Sequence, residues 1–350
     1  MSSKTNPGNF FEDFSIGQII RHATPRTVTA GDVALYTALY GPRFAAQSSD
    51  AFARAIGYPH APIDDLLVFH IVFGKSVPDI SLNAVANLGY AECIFHHAVY
   101  PGDTLSATSE VIGLRPTSDG KAGVVYVRTT GRNQHDDVVL TYVRWVLVRR
   151  LDLGRDISPP IIPDLRRHVN ADELGDALPI LHQRAYDTAL SGSGDLWDTY
   201  AVGEKIDHVD GMTVEEAEHM LATRLYQNTA KVHFNQYVQQ TDRFARRLIY
   251  GGHVISLARA LSFNGLANAF HVAAINSGRH VAPLFAGDTV FCWSEIIDKA
   301  ELPGRNDAGA LRIRMHATKN LPCTTFPGPV DDGHAEGVIL DLDYWTLIPR

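Results

Sequence analysis

The segment Phe14-Ser-Ile-Gly17 returns as Tyr200-Ala-Val-Gly203, 186 positions further along the chain (200 − 14 = 186). Four other matches follow in chain order at a similar spacing. They pair Thr27, Val28 and Tyr40 with Thr213, Val214 and Tyr226; residues 81–87 with 262–268; Pro101-Gly-Asp-Thr104 with Ala286-Gly-Asp-Thr289; and Leu140, Trp145 and Leu147 with Leu340, Trp345 and Leu347. Five ordered matches are hard to obtain by chance. The chain is therefore predicted to contain two copies of one fold, with a late insertion in the second copy.

Each half repeats the same order of predicted elements. A helical stretch comes first, at 30–40 and 215–226, with Thr29 and Thr213 as its expected caps. An apolar stretch with three-to-four spacing follows at 66–77 and 253–266, and predicts a buried helix. Alternating, β-branched runs complete each half, at 123–130 and 138–148, then at 311–316 and 338–348. Helices followed by strands favour an α+β fold, with an antiparallel sheet wrapped around a central helix in each half.

Residues 151–195 separate the two halves. They contain four prolines and the run Ser191-Gly-Ser-Gly194, a composition that favours an extended connection. We therefore expect an N-terminal domain at 1–150, a linker at 151–195 and a C-terminal domain at 196–350. Because the linker is long, part of it is expected to lie along the surface of a domain.

The composition indicates a globular protein, since 45% of the residues are hydrophobic and 20% are charged. The formal net charge of −8 argues against a nucleic-acid partner, which would require a basic surface. The chain has three cysteines, no CxxC pair and no Cys/His set with zinc spacing, so no metal site is expected.

No targeting signal is expected either. The first residues have no basic segment leading into an apolar core. The most apolar stretch, at 66–73, is interrupted by His70 and is far shorter than the ~20 residues that cross a membrane. Together with the few cysteines, these features predict a cytoplasmic protein without a membrane partner.

The second half resembles the MaoC-like, (R)-specific enoyl-CoA hydratases. In the register set by Tyr226, Asn228 takes the place of the family's motif aspartate, and His233 takes the place of its histidine. The segment Ile249-Tyr-Gly-Gly-His253 is similar to the family's Ile-Ala-His-Gly-Met, which opens the central helix. The Gly-Asp-Thr turns at 102–104 and 287–289 are a second feature of the family. The resemblance implies a pseudodimeric double hot-dog fold and the addition of water to an enoyl-CoA thioester.

The first half keeps the residues that flank this motif but lacks its catalytic residue types. Tyr40-Gly41 and Gly57-Tyr58 are present, but Pro42, Phe44 and Gln47 stand at the positions of the family's aspartate, asparagine and histidine. None of the three can act as a general base. This half is therefore expected to be a scaffold that helps to bind the acyl chain.

In the second half, His233 is the predicted general base, because histidine titrates near neutral pH. Asn228 cannot exchange a proton as an aspartate would, but its amide can orient the water. Two possibilities remain open for the other proton transfer: His233 carries out both transfers, or Asp242, Glu218 or His253 takes the second one. The backbone N–H groups of Gly251 and Gly252, just before the predicted helix, are expected to stabilise the thioester oxyanion.

A closer resemblance, carried by residues 61–70, 224–235 and 250–259, implies an acyl-CoA substrate with a second carboxylate. Its binding requires cations or N–H donors. The substrate-binding predictions are Gly251, Tyr226, Lys231, Arg247 and Arg279. A small cluster, Arg243, Arg246 and Arg247, is the candidate for the CoA phosphates. No cofactor is expected, and further assembly into a homo-oligomer is compatible with the fold.

Two other functions remain open at this point. A hot-dog thioesterase would use the same fold and substrate class but would hydrolyse the acyl bond. A non-catalytic acyl-CoA-binding protein would fit if the replacement of the motif aspartate by Asn228 had abolished activity in both halves. The retained His233 and the Gly251-Gly252 pair favour hydration.

Overall fold

The computed structural model describes residues 4–155 and 159–350. The first half contains β1 (Ile19–Thr27), α1 (Ala30–Tyr40), α2 (Ala45–Ser48), α3 (Asp50–Ile56), α4 (Asp65–Ser76), β2 (Ala84–Phe95), β3 (Thr104–Pro116), β4 (Ala122–Arg132) and β5 (Val138–Arg149). The helix α5 (Thr188–Ser191) lies in the connection between the halves.

The second half begins with β6 (Lys205–Asp207), β7 (Met212–Thr213), α6 (Glu216–Leu225), α7 (Lys231–Phe234), α8 (Gln236–Gln239), α9 (Gly251–Leu261) and α10 (Phe263–Leu266). It ends with β8 (His271–His280), β9 (Thr289–Glu301), β10 (Ala308–Lys319), β11 (Pro329–Val330), β12 (Gly333–His334) and β13 (Val338–Pro349). The predicted central helices and the four strand-like runs are all present. None of the helices in the described part of the chain combines the length and apolar character needed to cross a bilayer.

One antiparallel sheet runs through the whole molecule, in the order β1-β3-β4-β5-β2-β8-β13-β10-β9-β6, with β7 paired to β9. The order is the same from both ends, because each strand of the first half has its counterpart at the mirrored position. The halves join through β2 and β8, where Tyr90 pairs with Gly278 and Ile94 pairs with Ala274. This arrangement confirms the predicted α+β class and the pairing of the two halves within one chain.

A pseudo-twofold axis passes between the central helices α4 and α9. His70 on α4 and Ser256 on α9 are equivalent positions (256 − 70 = 186), and His70 Nε2 lies 2.9 Å from Ser256 Oγ. The equivalent tyrosines also meet, since the Tyr226 hydroxyl donates to the Tyr40 hydroxyl over 2.7 Å. Apart from Asp65 at its start, every residue of α4 is buried, because this helix packs against both the sheet and the other half.

The strand registers correct one of the five repeat matches. Asn87 pairs with Val146, and in the other half Val272 pairs with Thr346. Because β5 and β13 are equivalent at an offset of 200, the counterpart of Asn87 is Val272 and not Asn268. The likeness of 81–87 to 262–268 was therefore accidental. The predicted late insertion is present: β4 and β5 are joined by 133–137, whereas β10 and β13 are joined by 320–337, which carries the β11–β12 hairpin.

Of the two expected helix caps, Thr29 is confirmed and Thr213 is wrong. The Thr29 side chain accepts a hydrogen bond from the N–H of Asp32. Thr213 instead lies in β7, where its hydroxyl is 2.8 Å from that of Thr289. Its side chain is occupied by this cross-strand contact, and α6 begins three residues later without a side-chain cap.

The connection between the halves packs on the outer face of the second half's sheet. The N–H of Val169 donates to Asn276 Oδ1 over 2.8 Å, and the N–H of Leu181 donates to Asp307 Oδ2 over 2.6 Å. The buried side chains of this connection, Val169, Leu174, Leu178 and Leu181, join a core cluster with Trp345. Much of the chain predicted to be a linker is therefore held against the sheet by apolar burial and backbone hydrogen bonds.

Candidate active site

The site is built around the N-terminus of the central helix α9. The glycine pair is predicted to precede the helix, but the helix begins at Gly251, so both glycines lie in its first turn. Within the described residues, the N–H groups of Gly251 and Gly252 have no hydrogen-bond partner. Unpaired N–H groups at a helix N-terminus carry a partial positive charge and can bind a developing oxyanion.

Aromatic rings surround this first turn so closely that only glycine fits. A Cβ on Gly251 would lie 2.3 Å from Cε1 of His280. A Cβ on Gly252 would lie 2.4 Å from the Tyr250 ring and 2.5 Å from Cε1 of His70. The two glycines therefore allow the helix end to pack against rings from both halves of the chain.

His233 is held in a form suited to a general base. Its Nδ1 lies 2.8 Å from the carbonyl oxygen of Leu248, so Nδ1 carries the proton and donates it to that oxygen. The other ring nitrogen, Nε2, then has a free lone pair, and it has no hydrogen-bond partner in the described part of the chain. Burial lowers the pKa of His233 to about 4, below the near-neutral value on which its prediction as a general base rested, and keeps the imidazole neutral at neutral pH.

Asn228 is buried at the start of the loop that leads to His233. Its side-chain Oδ1 accepts a hydrogen bond from the N–H of Ala230 over 3.1 Å, and its own N–H donates to the carbonyl oxygen of Thr223. The amide Nδ2 makes no hydrogen bond to any described residue. Asn228 thus stabilises the turn through one end of its amide and keeps the other end available to a ligand.

The first half of the chain supports this loop directly. A Cβ on Gly74 of α4 would lie only 1.8 Å from the carbonyl oxygen of Tyr226, so the helix and the loop are in backbone contact. Next to it, Lys75 Nζ donates to Gln227 Oε1 over 3.4 Å, and Arg26 donates to the carbonyl oxygen of Leu225. No motif in the sequence marks these supporting residues, because the half that lacks the motif contributes them.

Five buried or half-buried histidines from both halves surround the site and form what we call the histidine cluster: His70, His219, His233, His253 and His280. The ring centre of His219 is 6.1 Å from that of His233 and 5.7 Å from that of His253. His219 Nε2 also accepts the N–H of Tyr250 over 2.9 Å. Burial lowers the pKa of every member: to about 2 for His219, about 3 for His70 and His253, and about 4 for His233 and His280. The cluster is therefore neutral at neutral pH.

Tyr226, predicted to bind substrate, lies inside the molecule beside this cluster. It is 1% exposed, and its hydroxyl donates to Tyr40. Tyr40 can in turn donate to His253 Nδ1, which is 2.7 Å away. The Tyr226 hydroxyl is thus part of an internal chain of hydrogen bonds that links the two halves.

The structure separates the predicted cations. Arg247 is largely buried and forms an ion pair with Glu216. Lys231 is exposed at the start of the short helix that carries His233. Arg279 lies apart from these cations, because its neighbour on β8, His280, faces α9 and consecutive strand residues point to opposite faces. Arg279 therefore lies exposed on the far side of the sheet.

The remaining candidates also occupy different environments. Asp242 is exposed, and its carboxylate accepts the N–H of Arg243. Glu218 is half-buried on α6, whereas His253 is buried inside the histidine cluster. Arg243 and Arg246 are exposed and lie over the rings of neighbouring phenylalanines.

Comparison with known proteins places this chain in a family. The family model described as mesaconyl-CoA hydratase matches residues 2–159. The chain is 62% identical to the beta-methylmalyl-CoA dehydratase of Chloroflexus aurantiacus, over 100% of this chain and 99% of that protein. It is 57% identical to the mesaconyl-CoA hydratase of Cereibacter sphaeroides, over 99% of this chain and 100% of that protein. The chain belongs to the mesaconyl-CoA hydratase family.

Solved structures agree with this membership of the mesaconyl-CoA hydratase family. A MaoC domain protein dehydratase from Chloroflexus aurantiacus superposes with a TM-score of 0.97 at 61% identity, covering 100% of this chain and 99% of the other. A conserved protein from Mycobacterium tuberculosis, described as a double hotdog fold, gives a TM-score of 0.70 at 26% identity and covers 98% of both chains. The resemblance to MaoC-like hydratases and the double hot-dog fold are both confirmed.

Proposed function

We propose that this chain is a hydro-lyase that catalyses the reversible hydration of mesaconyl-CoA to β-methylmalyl-CoA. The observation that carries the proposal is the match over essentially the whole chain to two relatives, whose names describe the two directions of one reaction. Because the identities are 62% and 57%, the fold and the surroundings of the site are expected to be shared in detail.

In the proposed mechanism, His233 Nε2 takes a proton from water as the water oxygen bonds to Cβ of the enoyl thioester. The π electrons move toward the thioester oxygen, which becomes an enolate oxyanion. The N–H groups of Gly251 and Gly252 stabilise this negative charge, and the helix dipole adds to their effect. The free amide Nδ2 of Asn228 donates to the water oxygen and orients it toward Cβ.

A proton must then reach Cα to complete the addition. We propose that His233 delivers the proton that it took from water, because Asn228 cannot donate one as an acid. Nδ1 of His253 is occupied by the contact with Tyr40, and Asp242 lies in the solvent-exposed part of the loop. A single imidazole that is first base and then acid needs no cofactor, and we propose that none is used.

For the second carboxylate of the substrate we propose Arg247 as the main cation and Lys231 as an outer one. Arg247 lies close enough to His219 to lower the pKa of that histidine, and its Nε is buried without a hydrogen-bond partner in the described structure. A guanidinium can bind a carboxylate through two parallel hydrogen bonds. We also propose a cytoplasmic location, which the three buried free thiols support.

The test is to incubate the purified chain with mesaconyl-CoA in water labelled with heavy oxygen and to follow the product by mass spectrometry. His233→Ala is the test variant, and His135→Ala, at an exposed turn of the first half, is the matched control. We expect label in β-methylmalyl-CoA, and a loss of ~10²–10⁴-fold in kcat for His233→Ala alone. Unimpaired His233→Ala would refute the site. Release of free thiol, or no change in the substrate, would refute the hydratase proposal.

A further inference from the structure

The insertion of the second half covers a group of side chains on the outer face of the sheet. His316 on β10 and Asp341 on β13 are directly paired across the strands, and His334 comes from the β11–β12 hairpin above them. Their potential metal-binding atoms all lie within 4.8 Å of one another. Among the described residues, no other group of three histidine, cysteine or carboxylate side chains meets that criterion.

His316 is the member whose environment demands an explanation. It is 1% exposed, and neither of its ring nitrogens has a hydrogen-bond partner within the described residues. Its ring stacks on Trp293 with a centre-to-centre distance of 4.8 Å. Its Nε2 lies 3.5 Å from Asp341 Oδ1, too far for a good hydrogen bond. Because a buried polar group without a partner is costly, something else is expected to bind this imidazole.

Asp341 has room for a further ligand although it already binds an arginine. Arg314 donates from Nε to Oδ1 over 3.0 Å and from its terminal nitrogen to Oδ2 over 2.7 Å, which takes one lone pair of each oxygen. An ionised carboxylate has about four such positions. The others face His316 and His334, whose Nε2 is 2.9 Å from Oδ2. Arg314 thereby fixes the orientation of the carboxylate, as outer partners of metal ligands commonly do.

We propose that His316, His334 and Asp341 form a binding site for a divalent zinc ion. Two imidazoles and one carboxylate, with water in the fourth position, are a recurrent zinc ligand set. Zinc–nitrogen bonds of about 2.0–2.1 Å place tetrahedral ligand atoms about 3.3 Å apart. Because the ligand atoms lie within 4.8 Å of one another, the longest separation needs to contract by at most about 1.5 Å (4.8 − 3.3). His334 lies in a two-residue strand of a hairpin, where such a shift disturbs few other contacts.

The zinc ion would attach the insertion to the sheet and would have no part in hydration. Met315 and Ala317, the neighbours of His316, face the core around α9, so His316 faces away from it. The insertion is already fixed nearby, since Trp293 Nε1 donates to the carbonyl oxygen of Pro327 over 2.8 Å. Sequence spacing could not reveal this ligand set, because the three residues come from two strands and a hairpin.

The test is a titration of the chelator-treated full chain with Zn²⁺ by calorimetry, repeated with Co²⁺ while visible absorbance is recorded. The variants are His334→Ala, which changes only the hairpin, and His135→Ala, which removes an exposed histidine from the equivalent short turn of the first half. We expect one Zn²⁺ per chain in wild type and in His135→Ala, at least tenfold weaker binding in His334→Ala, and a cobalt absorption band that the same variant loses.

A His233→Ala variant separates this site from the histidine cluster of the active site. Undiminished Zn²⁺ binding in His233→Ala supports the outer site. Loss of Zn²⁺ binding in His233→Ala, with binding retained in His334→Ala, overturns the proposal. A wild-type chain that takes up no Zn²⁺ also overturns the proposal and leaves a water molecule as the partner of His316. An increase in melting temperature with Zn²⁺ in wild type, absent in His334→Ala, is the second readout that supports it.

Discussion

Replacing Gly74 with alanine tests whether the half without the motif positions the loop that carries Asn228. The added Cβ would lie 1.8 Å from the carbonyl oxygen of Tyr226, whereas such contacts are essentially never below 3.0 Å. To remove this clash, the two atoms must therefore move apart by at least 1.2 Å (3.0 − 1.8). The Cβ position is fixed by the backbone of α4 and its partner is a backbone oxygen, so no side-chain rotation can absorb the shift, and the loop or the helix must move.

A displacement of about 1 Å in a positioning group can cost about 10²-fold in rate. We expect Gly74→Ala to lower kcat for mesaconyl-CoA by about that factor while KM changes less, because the displaced loop carries Asn228, which we propose acts on the reacting atoms. Overpacking at this contact should also lower the free energy of unfolding by about 1–3 kcal/mol. Steady-state kinetics and urea denaturation of the same preparations measure the two effects separately.

Gly31→Ala is the matched control for this experiment. Gly31 lies in the first turn of α1, and its nearest Cβ contact would be the Thr29 hydroxyl at 3.5 Å, an ordinary distance. This change should leave kcat unchanged and stabilise the chain by about 0.4–1 kcal/mol. If Gly74→Ala folds and retains wild-type kcat, the loop is not positioned by α4 and the reasoning fails.

Three further predictions concern the site. Between pH 6.5 and 4, the histidines of the unfolded chain bind protons, whereas the folded histidine cluster does not, because its pKa values are lowered. The free energy of unfolding is therefore at its full value above pH 6.5 and should fall by several kcal/mol on acidification to pH 5. Urea denaturation at each pH measures this change. Arg247→Ala should raise KM for mesaconyl-CoA at least tenfold while Arg279→Ala leaves it unchanged, and equal effects in a kinetic comparison would contradict the placement of the two side chains. Gly252→Ala should lower kcat by about 10²–10³-fold, because its Cβ would collide with the rings of Tyr250 and His70 beside the N–H group that we propose binds the oxyanion. A fully active variant would exclude a role for this N–H group.

The fold was predictable because the duplication repeats long, regular patterns. Strand alternation and helical spacing are local properties, and their recurrence at an offset near 186 predicted the paired architecture. The errors arose where tertiary contacts override local signals. Thr213 has the residue type of a helix cap, yet its hydroxyl binds across the strands, and residues 81–87 resemble 262–268 although the registers exclude their equivalence.

Only part of the candidate site was predictable, because the motif of the second half contains only some of the residues that surround it. His233, Asn228 and the glycine pair follow from the spacing in the second half. His219 and His280 come from other elements, and no local pattern marks either residue as a partner of His233. His70 appeared in the sequence only as a polar interruption of an apolar stretch, although it packs beside Gly252 from the opposite half.

The same symmetry explains why the first half can support the site but cannot duplicate it. Gln47 is equivalent to His233 (233 − 47 = 186), and its amide donates to the carbonyl oxygen of Phe270, so the base is replaced by a structural contact. Asp65 is equivalent to Gly251, and its carboxylate accepts the N–H of Val272 over 2.9 Å. A carboxylate at the start of α4 would repel an enolate, whereas the proposed role of Gly251 at the start of α9 is to stabilise one. Restoring histidine at position 47 alone would therefore supply a base without an oxyanion site, and the N-terminal half would remain inactive.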